Sequence, residues 1–140
     1  MAKYHVLSEE GDVSFIADQD LTAKQYTWVG PASTYNNVAS VSGASPAPFG
    51  ILQNSPSLGQ EARVRVFGFS KAWTNATACV AQWGSYVVVA SDGRTERLLS
   101  ATCLPCFGRY IGSTSAAGAS YYGEVFIFGA GIQTCPVATS

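Results

Sequence analysis

Histidine is almost missing from this chain of 140 residues: the one copy, His5, stands near the N-terminus. A Ser-His-Asp or Cys-His centre would have to use it, and a terminal residue is poorly placed to hold a base within reach of a nucleophile. No catalytic residue is assigned, and the chain is expected not to be an enzyme. Charge is scarce as well. Charged residues make up 12% of the sequence with a formal net charge of −1, against about a quarter in an ordinary globular domain. The eight Lys and Arg form no basic stripe, which argues against nucleic acid, because that binding rests on neutralising phosphates. Arg63 and Arg65 alternate within one strand-like run and share a face with Lys71; a solvated strand face accounts for them.

Long apolar runs are absent too. No stretch approaches the roughly 18 apolar residues of a membrane span, so no membrane partner is expected. The opening "MAKYHVLSEEGDVSF" lacks the apolar core of a signal peptide, which points to synthesis in a cytoplasm. Glycine-rich phosphate loops of the Gly-x-Gly-x-x-Gly or Walker type do not occur, and "GAGI" (129–132) reads as a turn. The acidic groups Glu9-Glu10-Asp12 and Asp18-Asp20 lack the regular ligand spacing of a calcium loop and read as solvated turn residues. No cofactor, metal or small-molecule substrate is expected.

Four cysteines are present: Cys79, Cys103, Cys106 and Cys135. "CLPCFG" (103–108) has the spacing of a redox pair or of half a zinc site. A redox pair needs a helix N-terminus to lower the thiol pKa, whereas "FGRYIGST" after Cys106 reads as a strand. A structural zinc site uses two close pairs, and this chain offers one pair and two singletons. Buried reduced thiols, a disulfide and a zinc site all remain open, with the first favoured because free cysteine behaves as a small buried hydrophobe.

What is plentiful is β-pattern. "EARVRVFGFS" (61–70) alternates Ala62, Val64 and Val66 against Glu61, Arg63 and Arg65, the period of a half-buried strand. Val87–Ala90 and Thr95–Leu99 flank Asp92-Gly93, a tight-turn pair, and read as a hairpin. "YYGEVFIFG" (121–129) is a third strong strand, and weaker ones are "YHVL", "VSFIA", "QYTWVG", "NNVASV" and "PFGILQ". "DLTAKQY" (20–26) is the one helical hint, a turn or two after Asp20 as N-cap. The stretches 30–48 and 113–120 read as polar or small-residue connections. The pattern predicts an all-β fold, a small antiparallel β-barrel or β-sandwich, with an N-terminal arm over residues 1–17 and a single β domain over 18–140.

An internal echo runs through this pattern. "PFGILQNSPSLGQEARVRVFG" (48–68) aligns with "CFGRYIGSTSAAGASYYGEVFIFG" (106–129). Phe49-Gly50 matches Phe107-Gly108, Ser55 matches Ser113, and Gly59 falls near Gly118. Val64-x-x-Phe67-Gly68 matches Val125-x-x-Phe128-Gly129. The expectation is two related strand–loop–strand units. Trp28, Trp73 and Trp83, with seven Tyr and seven Phe, suit core and subunit contact, or else a sugar-binding face.

"FIADQDLTAKQYTWV" (15–29) followed by "APFGILQNSPSLGQEARVRVFGFSKA" (47–72) resembles the small capsid decoration, or cement, proteins of tailed bacteriophages. Asp20, Leu21, Lys24 to Tyr26 and Val29 match that family's opening motif. Pro48, Gly50 to Asn54, Pro56, Gly59, Ala62, Val64, Val66, Gly68, Ser70 and Lys71 match its second, and Gly84, Val87, Gly93 and Arg94 a later element. The stretch "AWTNATACVAQWGS" and the four cysteines depart from it. The resemblance implies a β-rich virion protein, trimeric, on the outer capsid surface, clamping copies of the major capsid protein. A low-charge surface suits such permanent contact. The segment 1–17 is expected to add a strand to a neighbour's sheet edge. The competing expectation is a glycan- or receptor-binding module on a virion surface, working through Trp73 or Trp83.

Overall fold

In the computed structural model the described residues are 11–42, 48–75, 84–97, 104–111 and 120–134. They form ten strands and, among the described residues, no helix. β1 (Asp12–Ala17), β2 (Trp28–Pro31), β3 (Asn37–Ser40), β4 (Gly50–Leu52) and β5 (Glu61–Arg65) close into one barrel in the order β1-β3-β2-β4-β5. β6 (Gly68–Asn75), β7 (Tyr86–Val89), β8 (Thr95–Arg97), β9 (Leu104–Tyr110) and β10 (Ser120–Thr134) close into a second, in the order β10-β6-β8-β7-β9. The all-β barrel expectation holds.

The two barrels are one motif built twice. In each, the first strand runs parallel to the third and antiparallel to the fifth, and the second and fourth are antiparallel neighbours. Register repeats residue for residue. Val29 opposite Gly50 becomes Val87 opposite Gly108, and Phe15 opposite Ala62 becomes Ala72 opposite Gly123. Ala17 beside Val38 becomes Thr74 beside Thr95. Loop hydrogen bonds follow: Tyr26 N–H to Leu52 O at 2.7 Å recurs as Gly84 N–H to Tyr110 O at 2.8 Å. Positive φ angles recur at Gly11 and Gly68, Tyr26 and Gly84, and Asn36 and Gly93.

The Phe-Gly echo is therefore structural. Gly50 and Gly108 hold equivalent places, and a Cβ on either would strike a backbone carbonyl of the neighbouring strand, that of Arg65 or Phe126. Only glycine lets the strands approach there. Val64 and Val125, the other anchors of the echo, are both fully buried. Interior volume is conserved by exchange. Leu52 and Ala62 in the first barrel are replaced by Tyr110 and Gly123 in the second, the larger ring lying against the missing side chain.

Several local expectations give way. Asp12–Ala17, expected in the arm, is β1 and belongs to the first barrel; residues 1–10, with "YHVL", His5, Glu9 and Glu10, lie outside the described residues. Asp12 is a buried strand residue, 7% exposed, paired with Arg65 at 2.7 Å and Arg63 at 3.3 Å, not a solvated turn. "DLTAKQY" makes turns instead of a helix: the Asp20 carboxylate accepts the Thr22 N–H and hydroxyl, an Asx-turn arrangement that competes with helix. Residues 30–48, expected as a connection, hold the turn of the β2–β3 hairpin and β3 itself, the strand that "NNVASV" had suggested. "GAGI" is no turn but part of β10, where the register with β9 shifts between Ile127 and Ile132, the mark of a bulge.

The barrels pack on one another through a shared core. Trp28, Val41 and Ile51 of the first barrel join Ala72, Val87, Val89, Phe107, Tyr110, Val125 and Ile127 of the second. Trp28 packs on Phe107 with ring centroids 5.6 Å apart, and its Nε1 donates to Thr95 Oγ1 at 2.9 Å. Main-chain bonds cross the same seam: Trp28 N–H to Gly93 O at 2.9 Å and Trp73 N–H to Tyr26 O at 2.8 Å.

Candidate interaction surface

The duplication supplies an internal control for what the fold itself requires. On the outer face of β1–β5 the directly opposed pairs are Asp12/Arg65, Ser14/Arg63 and Ile16/Glu61. The equivalent pairs on β6–β10 are Phe69/Phe126, Lys71/Glu124 and Trp73/Tyr122. The ion pair Asp12/Arg65 and the pair Ile16/Glu61 of one barrel stand where the other carries aromatic rings, while the middle pair is charged on the second barrel as well. The rings are therefore not needed to close a barrel of this kind.

The strand period explains how they come to lie outside. Along β6 the small residues Ser70, Ala72 and Thr74 are buried, so Phe69, Lys71 and Trp73 project outward. Along β10 Val125 and Ile127 are buried, so Tyr122, Glu124 and Phe126 share the opposite face. Phe69 is 62% exposed, Tyr122 53%, and Phe67, which joins them from the β5–β6 corner, 52%. Phe126 meets Phe67 and Phe69 edge-on, with centroids 5.4 and 5.1 Å away.

At the other end of the stripe, the Lys71 ammonium lies 5.2 Å from the Tyr26 ring centroid and 5.1 Å from that of Tyr122. Tyr26 and Tyr122 meet edge-on at 5.5 Å. A groove of about 280 Å³, bounded by Arg65, Phe69, Lys71, Ile111 and Glu124, runs between the two aromatic ends. The face is thus apolar at both ends and charged in the middle, with its rings held by ring–ring and cation–π contacts. That pre-organisation lowers the entropy lost on docking another protein.

The sequence-derived candidates scatter. Trp28 is core. Trp73 is half-buried and covered by the Arg94 guanidinium at 5.6 Å and by Tyr122, so it offers no open platform for a sugar ring. Trp83, Cys79, Cys103 and Cys135 lie outside the described residues. Cys106 is fully buried in the middle of β9, a strand and not the helix N-terminus that a redox pair uses. Arg63 and Arg65 pair with Asp12 on the charged face of the first barrel, and Arg65 also lines the groove beside Lys71 and donates to Phe69 O at 2.9 Å. Phe69, Phe126 and Tyr122 were not singled out from sequence, and Tyr26 was named only as part of the motif match. Their signal was the small residues of the alternate phase, Ser70, Ala72 and Thr74, which are the ones the barrel encloses.

No family model and no curated protein matches the chain. Among solved structures it is similar to the head fiber gp8.5 N base of bacteriophage phi29. The similarity has a TM-score of 0.56 at 9% sequence identity and spans 88% of this chain and 98% of the other. At that identity the likeness is one of fold, and it takes in nearly the whole of the phi29 base.

Proposed function

We propose that this chain is a phage virion structural protein, specifically a capsid decoration (cement) protein that binds the outer surface of the head and braces contacts between major capsid protein subunits. The observation that carries the proposal is the exposed aromatic face of β6–β10, set where the sister barrel has charged residues. Permanent protein partners are recognised by aromatic anchors ringed by polar groups, and monomeric proteins rarely expose such patches. Two things support a phage head as the partner. The sequence motifs resemble decoration proteins, and the fold is shared with a base domain of a phage head fiber.

In this reading the role is mechanical and not catalytic. Copies self-associate, as the resemblance implies for a trimer, and neither nucleic acid nor membrane is bound. Mixing purified protein with cognate heads lacking it, then sedimenting the heads, tests the reading. Wild type co-sediments to a saturable stoichiometry. Phe69→Ser and Tyr122→Ser, which leave the buried phase of their strands untouched, weaken binding by about tenfold or more each. Equal binding by wild type and both variants would sink the role given to this face. Glycan binding by folded wild type, with no affinity for heads, would favour the receptor-binding alternative.

A further inference from the structure

The groove in the β6–β10 face holds one charge that the chain itself leaves unanswered. Register sets Glu124 directly opposite Lys71, a placement in which opposite charges ordinarily pair. The Lys71 ammonium instead lies over the Tyr26 and Tyr122 rings, 5.2 and 5.1 Å from their centroids. Arg65, the other cation lining the groove, is committed as well. Its Nε and Nη2 donate to the Asp12 carboxylate at 2.7 and 3.2 Å, and its Nη1 donates to Phe69 O at 2.9 Å. Glu124 is exposed, and its carboxylate makes no ion pair or hydrogen bond with the described residues.

The barrel repeat sharpens the point. The residue equivalent to Glu124 in the first barrel is Arg63, and there the charge is met within the chain, by Asp12 at 3.3 Å. We infer that Glu124 receives an arginine of the partner protein, whose guanidinium enters the groove between Glu124 and Phe69. The inference rests on the capsid reading of this face and names the chemistry required on the other side of the contact.

Charge, walls and size favour that occupant. With Arg65 balanced by Asp12 and Lys71 held against two π-faces, the unmet charge of the groove is negative. Its walls include Phe69, 62% exposed, and Ile111, so the entering group needs apolar or flat surface as well as charge. A guanidinium can stack on an aromatic ring while donating two parallel bonds to a carboxylate, which an ammonium cannot do. A volume of about 280 Å³ suits a single long side chain. An apolar or acidic group in the same place would bury the Glu124 carboxylate unpaired, so the groove selects its partner as well as binding it.

Co-sedimentation with cognate heads, measured as a dissociation constant, tests the inference. Glu124→Gln keeps the shape of the side chain, drops its charge, and raises the constant by about tenfold or more. Glu61→Gln, on the outer face of the first barrel, leaves it unchanged, and circular dichroism melting curves establish that both variants fold. Heads whose arginines are blocked with phenylglyoxal bind wild type as weakly as untreated heads bind Glu124→Gln, and the blocking costs Glu124→Gln nothing further. Heads with acetylated lysines bind wild type normally. Equal binding of wild type and Glu124→Gln to untreated heads overturns the inference and leaves the capsid reading standing. So does arginine blocking that weakens both proteins equally, or a loss that follows lysine acetylation instead. Wild type without affinity for untreated heads overturns the capsid reading itself, and this inference with it.

Discussion

Replacing Trp28 should uncouple the two barrels, and the size of the effect follows from what the side chain touches. Trp28 is 1% exposed, packs on Phe107, and donates from Nε1 to Thr95, which is itself fully buried. Truncating a buried Trp to Ala costs about 3–5 kcal/mol in lost burial and cavity. Leaving Thr95 Oγ1 without its donor adds about 1 kcal/mol or more. Trp28→Ala should therefore lose about 4–6 kcal/mol, a large share of the roughly 5–15 kcal/mol that holds a domain folded. Trp28→Phe keeps a ring against Phe107 and gives up the hydrogen bond, so its loss should be about 1–2 kcal/mol. Urea unfolding followed by tryptophan fluorescence and by circular dichroism reads both values. Trp28→Ala should also separate the transition into two steps, because the seam that makes unfolding cooperative is gone. A loss in Trp28→Ala no larger than in Trp28→Phe, with a single transition retained, would refute the coupling role.

Other outcomes follow from the same geometry. Gly50→Ala and Gly108→Ala each drive a Cβ into a strand carbonyl and should lower the melting midpoint through a loss of about 1–3 kcal/mol. Gly59→Ala has open space around it but a φ of +83°, and should cost about 1 kcal/mol. For Asp92, burial pushes the carboxyl up, but the Arg94 N–H, guanidinium and charge outweigh it and hold it below its ordinary value. A folded-state pKa below the unfolded one adds stability that is present above the carboxylate range and lost as pH falls through it. Asp92→Asn should therefore flatten stability against pH through that range while costing at most about 1 kcal/mol at neutrality. Alkylation mapped by mass spectrometry should leave Cys106 unmodified in the native protein and label it in denaturant.

The strands were legible where the period-2 pattern was clean. Val64, flanked by Arg63 and Arg65, could face only inward, and Asp92-Gly93 could only turn. The Phe-Gly echo disclosed one hairpin of the duplication because glycine is required at Gly50 and Gly108 by close strand approach. The rest of the duplication was hidden. Buried positions tolerate exchange among residues that fill them, so Val38 is answered by Thr95 and Leu52 by Tyr110, and neither pair matches by type. The helical reading of "DLTAKQY" failed because tertiary bonds prevail over local propensity: Tyr26 N–H goes to Leu52 O and φ at Tyr26 is +65°. The interaction face was the least legible feature. In "FGFSKAW" the aromatic phase also carries Lys71 and in "YYGEVFIF" it also carries Glu124, so alternation left the facing of each strand undecided, and the closed barrel shows that Ser70, Ala72, Thr74, Val125 and Ile127 are the residues inside.

The claim that this is a head-bound structural protein is tested most directly by electron cryomicroscopy of cognate heads reconstituted with the purified chain. The account predicts added density on the outer surface that fits the paired barrels, with the aromatic face of β6–β10 against major capsid protein. Heads that show no added density after incubation with folded, saturating protein would contradict it.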